Sequence, residues 1–164
     1  MQVSKPDNTN APSYFLWVDI ETTDADPQAD LLEIAYAITT KNGSLVTAGS
    51  MTTLWSGTAS DMPSEVAEMH KKSGLLKVCQ SLSIDLTETE VIETLTHTVE
   101  TWKEFLGPKV KLILAGSGIA HFDVPWLQYR PEGKELLALC EYYYHDIGIL
   151  RRSLRAAGLN PPRV

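Results

Sequence analysis

The sequence predicts an α/β domain built on one mixed five-stranded sheet with helices on both of its faces. Three observations carry this. Three strand-like stretches open the chain, a well-capped helix with regular apolar spacing begins after Thr87, and from Val110 short apolar runs alternate with helical ones. With 164 residues, 43% of them hydrophobic, the chain can bury one sizeable core, so a single domain is expected over residues 14–164.

Met1 to Ser13 is polar and rich in Pro and Asn, and is read as a flexible arm. Tyr14-Phe15-Leu16-Trp17-Val18 is a bulky run of strand formers, too short for a helix, and is expected to be a central strand. Leu31 to Thr40 and Leu45 to Leu54 are two more strands, joined through Lys41-Asn42-Gly43-Ser44, whose Asn-Gly pair can adopt the positive φ angles of a tight hairpin. A helix starts near Met62-Pro63-Ser64-Glu65 and runs to about His70, with Gly74 as its interruption.

Thr87 and Glu90 form a capping-box pattern, and Val91, Leu95, Val99, Trp102 and Leu106 recur at helical spacing until Gly107-Pro108. Val110 to Ala115 reads as a buried strand, Val124 to Tyr129 and Gly133 to Glu141 as helices, and Tyr142 to His145 as the last strand. Asp146 is expected to cap a final helix, Ile147 to Ala157, ending at Gly158. The order of the strands in the sheet does not follow from these patterns.

Charge narrows the partners. The chain has 14 Lys and Arg against 21 Asp and Glu, a formal charge of −7, so it lacks the broad basic surface that binds long duplexes by counterion release. Contact with a polyanion would have to run through divalent cations. No stretch approaches the length of an apolar membrane span and the N-terminus does not read as a secretory signal, so a cytoplasmic protein is expected. Cys79 and Cys140 read as reduced thiols.

Asp19-Ile20-Glu21 is the sharpest local feature. Residues two apart on a strand share a face, so both carboxylates leave together at the end of an apolar strand. Such a pair is costly without cations or donors, and a divalent-metal site resolves the cost; a solvated acidic exit, continued by Asp24, Asp26 and Asp30, is the alternative. A third, distant carboxylate would decide. Asp123 is the candidate, placed after the Gly116-Ser117-Gly118 turn where a helix begins, although alone it would read as an ordinary helix cap.

Leu16 to Thr23 with Asp26-Pro27 and Leu31 to Ala35, then Met69 to Leu75, then Ala115-Gly116 with His121 to Leu127, resemble in order the motifs of oligoribonuclease, within the DEDD (DnaQ-like) 3′–5′ exonucleases. The resemblance runs from about Leu16 to Leu159. It implies a ribonuclease-H-like fold, a homodimer, and removal of mononucleotides from the 3′ end of short single-stranded RNA or DNA by two Mg²⁺ or Mn²⁺ ions. It also implies that Asp19 bridges the two metals, Glu21 holds the nucleophile-side ion and Asp123 the other. Ile20, Thr22, His70, Ser73 and Ser117 match substrate-contacting positions.

The departures are specific. The family's third motif, a His with an Asp five positions later, is not found after Asp146, so the C-terminal helix that bears it is expected to be missing and catalysis by this chain impaired. Asp146 itself reads as a helix cap, and His145 and His97 as structural residues. Asp24-Ala25 stands where the family has Gly and an apolar wedge, and Tyr143 and Gly148 where it has Arg and Ser. Trp17, Trp102 and Trp126 read as core aromatics, with Trp55 a weaker candidate for stacking on a base. Two alternatives stand beside the main reading: a proofreading-type exonuclease on single-stranded DNA, and a catalytically impaired binding module of the same fold.

Overall fold

A computed structural model describes residues 11–161 apart from 82, 84 and 108. Most of the N-terminal arm (1–10), Pro108 and the final Pro162-Arg163-Val164 therefore lie outside the described residues. The strands are β1 (Ser13–Thr22), β2 (Leu31–Thr40), β3 (Leu45–Thr52), β4 (Lys111–Gly116) and β5 (Tyr144–Asp146). The helices are α1 (Ser64–Ser73), α2 (Leu75–Cys79), α3 (Glu88–Leu106), α4 (Asp123–Tyr129), α5 (Pro131–Ala138) and α6 (Ile147–Ala156).

One sheet, in the order β3-β2-β1-β4-β5, holds all five strands. β1, β2 and β3 form the expected antiparallel meander, while β4 and β5 join parallel to β1 and to each other. Parallel neighbours need crossovers, and α3 before β4 and α4–α5 before β5 supply them.

Leu16, Val18 and Ile20 of β1 alternate onto one face, meet Ile34 and Ile38 of β2, and are covered by Val91, Ile92, Leu95 and Val99 of α3. Trp126, Leu127 and Leu136 of α4 and α5 complete this core. A smaller cluster of Leu32, Trp55, Met62, Ala67, Leu76 and Cys79 lies under α1 and α2. The opposite sheet face is covered less fully: Trp17, Asp19, Ala35 and Ala37 line a groove beside Ile147 and Arg151 of α6. Among the described residues no helix is long and apolar enough to cross a membrane.

Most elements start within a residue or two of their expected places, and the differences are local. The hairpin loop is four residues, Lys41 to Ser44, with the Gly43 N–H donating to the Thr40 carbonyl, and only Gly43 takes a positive φ, of 84°. Asn42 therefore does not share the left-handed turn expected of the pair. α2 and a 3-10 turn at Ala59–Asp61 were not legible as periodic runs, being only five and three residues long. β1 extends past the apolar run to Thr22 because β2 pairs with it along its whole length.

Trp55 is a correction: it is buried in the smaller core and its indole N–H donates to Asp30, so its face is not free to stack on a base. Trp126 is fully buried as expected and Trp102 packs against the core, but Trp17 is a correction: it points away from the core, half-buried in the groove beside α6, because Leu16 and Val18 take the core face of β1. His97 is exposed on α3, and exposed His145 stacks with Phe15 at 5.2 Å between ring centroids.

Candidate carboxylate site

The site begins where the sheet runs out of strands. β4 pairs with β1 only as far as Trp17–Ala115, after which the chain leaves through Gly116-Ser117-Gly118. Gly116 is required there, because a Cβ would stand 2.9 Å from the Val18 carbonyl oxygen. Beyond that point β1 keeps β2 on one side but has no strand along its β4 edge, and a buried N–H on that edge must find another acceptor. The Ile20 N–H finds Asp123, donating to its Oδ1 at 3.0 Å across 103 residues of sequence.

Asp123 is thereby set beside Asp19 and Glu21. The first residue of α4, it is buried at 4% exposure and does not cap its own helix; Phe122 holds the capping position without a side-chain bond. Burial pushes its carboxyl up to about 6; the Ile20 N–H pulls it down, and Asp19 and Glu21 push it further up. Glu21 is raised chiefly by burial, opposed by His70 and reinforced by Asp19 and Glu33. Asp123 feels both Asp19 and Glu21, and Glu21 feels Asp19, a crowding of negative charge that a divalent cation would relieve.

Asp19 and Glu21 leave β1 on one face, as the spacing predicts, but open into different concavities. Asp19 lies with Ser117 in the groove along α6. Glu21 lines a second pocket with Glu33, His70 and Ser73. Glu33 sits directly across from Glu21 in the β1–β2 register, a like-charge pairing that only the register reveals. A register shift between Glu21 and Thr22 follows at once and turns the strand end toward α1.

His70 is almost fully buried, and its Nε2–H donates to the Thr22 carbonyl at 2.9 Å, so it braces the strand end behind Glu21. Thr22 is buried and donates its hydroxyl to the Asp24 carbonyl; Ile20 is buried and contributes its backbone. Ser73 is exposed and closes the end of α1 through the His70 carbonyl and the Leu75 N–H. Asp146 is the expected cap of α6, accepting from the Ile149 N–H at 2.9 Å and also from Gly118 and Ala120. Burial pushes its carboxyl up, but those backbone donors outweigh it and leave it below the usual range.

The donor chemistry of Asp19, Glu21 and Asp123 suits a hard divalent cation, all three offering hard carboxylate oxygen, with Asp19 exposed, Glu21 half-buried and Asp123 buried. Among the described residues, however, no three His, Cys, Asp or Glu side chains close around one point as a ready metal cage. The carboxylates are neighbours rather than a finished coordination shell.

Arg130, a residue that sequence reasoning passed over, anchors the surroundings. It is buried, pairs with Glu88, and donates to the carbonyls of Pro27 and Ala29. A lone Arg between Tyr129 and Pro131 carries no signal in the sequence; its partners Glu88 and Pro27 lie 42 and 103 residues away.

Mixed sheet, strand order and flanking helices together define an α/β ribonuclease-H-like fold. Solved structures of exonuclease I are similar to this chain. One is a crystal structure of SSB/exonuclease I with the inhibitor CFAM, at TM-score 0.62 and 14% identity, covering 93% of this chain and 33% of that one. Another, with the inhibitor BCBP, has a TM-score of 0.56 at 14% identity and covers 94% and 33%. A metal-free E. coli exonuclease I–ssDNA complex has a TM-score of 0.53 at 14% identity and covers 92% and 32%. The chain spans about a third of the length of these neighbours. No family model and no curated protein matches it.

Proposed function

We propose that this chain is a 3′–5′ exonuclease domain of the oligoribonuclease type, hydrolysing short oligoribonucleotides to mononucleotides, with Asp19, Glu21 and Asp123 holding Mg²⁺ or Mn²⁺. The observation that supports it is the Asp123–Ile20 bond, which ties Asp123 to the backbone between Asp19 and Glu21. The exonuclease I fold and the single-stranded DNA in one of those structures support a single-stranded substrate.

Divalent cations bound there would polarise the scissile phosphate and lower the pKa of an attacking water. The protein's own part is to supply negative charge at one end of β1 and to keep Asp123 fixed through a backbone donor. The groove containing Asp19, Ser117 and Arg151 would pass the nucleic-acid strand, with Arg151 facing its phosphates. Glu21, His70 and Ser73 would surround the residue at the 3′ end.

A second reading is a nucleic-acid-binding module of the same fold with little catalysis. It is favoured by the open arrangement of the carboxylates and by the commitment of His70 to the Thr22 carbonyl, which leaves its Nε2 no role as a base. Incubating the protein with MnCl₂ and 5′-labelled RNA and DNA of two to ten nucleotides separates the readings. Stepwise shortening from the 3′ end, lost in Asp19→Asn and Asp123→Asn, supports the exonuclease. Retained oligonucleotide binding without shortening supports the module.

A further inference from the structure

Arg130 stands directly after α4, and its guanidinium is bound on every side. Nε donates to Glu88, Nη1 to the carbonyls of Pro27 at 2.7 Å and Trp126 at 3.2 Å, and Nη2 to the carbonyl of Ala29 at 2.8 Å and to Glu88 at 3.3 Å. The same plane lies 3.5 Å over the Trp126 ring. Trp126 itself donates to the Ala29 carbonyl at 3.0 Å, and Glu88 accepts from the Leu31 N–H at 3.0 Å. Loop 24–30, closed at its base by the Thr23–Asp30 backbone pair, is thus pinned to α4 and to the start of α3.

This geometry bears on the carboxylates because α4 is a single seven-residue helix, a rigid rod about 10 Å long. Asp123 is its first residue and holds β1 by one hydrogen bond; Arg130 follows its last and holds the loop by several. Core packing of Trp126 and Leu127 holds the middle of α4, one bond holds its first residue, and fastening the far end fixes its orientation. The planar fork is needed, since an ammonium cannot reach two carbonyls and a carboxylate in fixed directions at once.

We propose that Arg130 is a positioning residue for the carboxylate site: by locking the far end of α4 to loop 24–30, it sets Asp123 against Asp19 and Glu21. This rests on the reading that those three side chains hold divalent cations. Arg130 itself contacts no cation and no substrate, so a purely stabilising role is the competing explanation.

Arg130→Gln and Arg130→Lys in the full chain decide between them, with MnCl₂ titrated calorimetrically at a temperature where circular dichroism shows each variant fully folded. Positioning predicts a Kd for Mn²⁺ weakened about 10- to 100-fold, the range for residues that orient metal ligands. It also predicts faster amide exchange at Ile20 relative to Leu16 and Val18 on the same strand. A lower melting temperature with wild-type Mn²⁺ affinity and wild-type Ile20 protection would overturn it. Should Arg130→Gln not fold, Arg130→Lys and Glu88→Gln carry the same two measurements. If the wild-type chain takes up no Mn²⁺, the cation reading fails, and Ile20 exchange still tests whether Arg130 positions Asp123.

Discussion

Replacing Asp123 with Asn should make the metal-free protein more stable, and increasingly so as the pH rises. Burial lifts the Asp123 carboxyl from 3.8 to about 6, so the folded chain holds that proton more tightly than the unfolded one. The stabilisation from this group is complete below 3.8 and is lost as the pH climbs through about 6. Above that, charging the buried carboxyl costs the folded state about 3 kcal/mol, of which about 2 kcal/mol develops between pH 4.5 and pH 8. Asn has no charge to bury and can still accept from the Ile20 N–H, so it escapes the cost and keeps the bond.

Urea and thermal unfolding of both proteins in EDTA, at pH 4.5 and pH 8, measures this. The stability gap in favour of Asp123→Asn should widen by about 2 kcal/mol, or about 4–8 °C in melting temperature, between the two pH values. With MnCl₂ at about a hundred times its Kd, the wild type should recover about 2.7 kcal/mol at pH 8 while Asp123→Asn gains little. A gap independent of pH would refute the account of Asp123 as a desolvated carboxylate. Equal stabilisation of both proteins by Mn²⁺ would refute its role as a ligand.

Two further outcomes follow from the packing. Gly133→Ala should cost about 1–3 kcal/mol by denaturant unfolding, because its Cβ would lie 2.2 Å from the Leu127 carbonyl oxygen and force α5 away from α4; wild-type stability would show that the two backbones are not in contact. Desolvation pushes the Cys79 thiol up to about 11 and the partly buried Cys140 thiol up to about 12, so both should react slowly with Ellman's reagent at pH 8 until the chain is denatured, and rapid labelling of Cys79 in the native protein would contradict its burial.

Much of the fold was legible because it is written in local period. The alternation of β1 and β2, the capping box of Thr87 and Glu90, the apolar stripe of α3 and the Asp146 cap of α6 each depend on residues a few positions apart. The shared face of Asp19 and Glu21 belongs to the same class. What failed was short or non-local. α2 is too brief to show a period, and Trp55, a weak candidate for stacking in the sequence, is closed over by a second cluster.

For the site, local sequence determined which carboxylates could act together on β1 and that a third stood at the start of a helix. Only the tertiary structure set Asp123 against the Ile20 backbone between Asp19 and Glu21, because its partner is a backbone N–H exposed by the end of β4, 103 residues away. It alone paired Glu33 with Glu21 and turned His70 inward against Thr22. It also gathered loop 24–30, α3 and α4 around one guanidinium. Periodicity records which way a side chain faces along its own element; which groups meet across elements depends on register and crossover, and neither is encoded within the span of a single turn or strand.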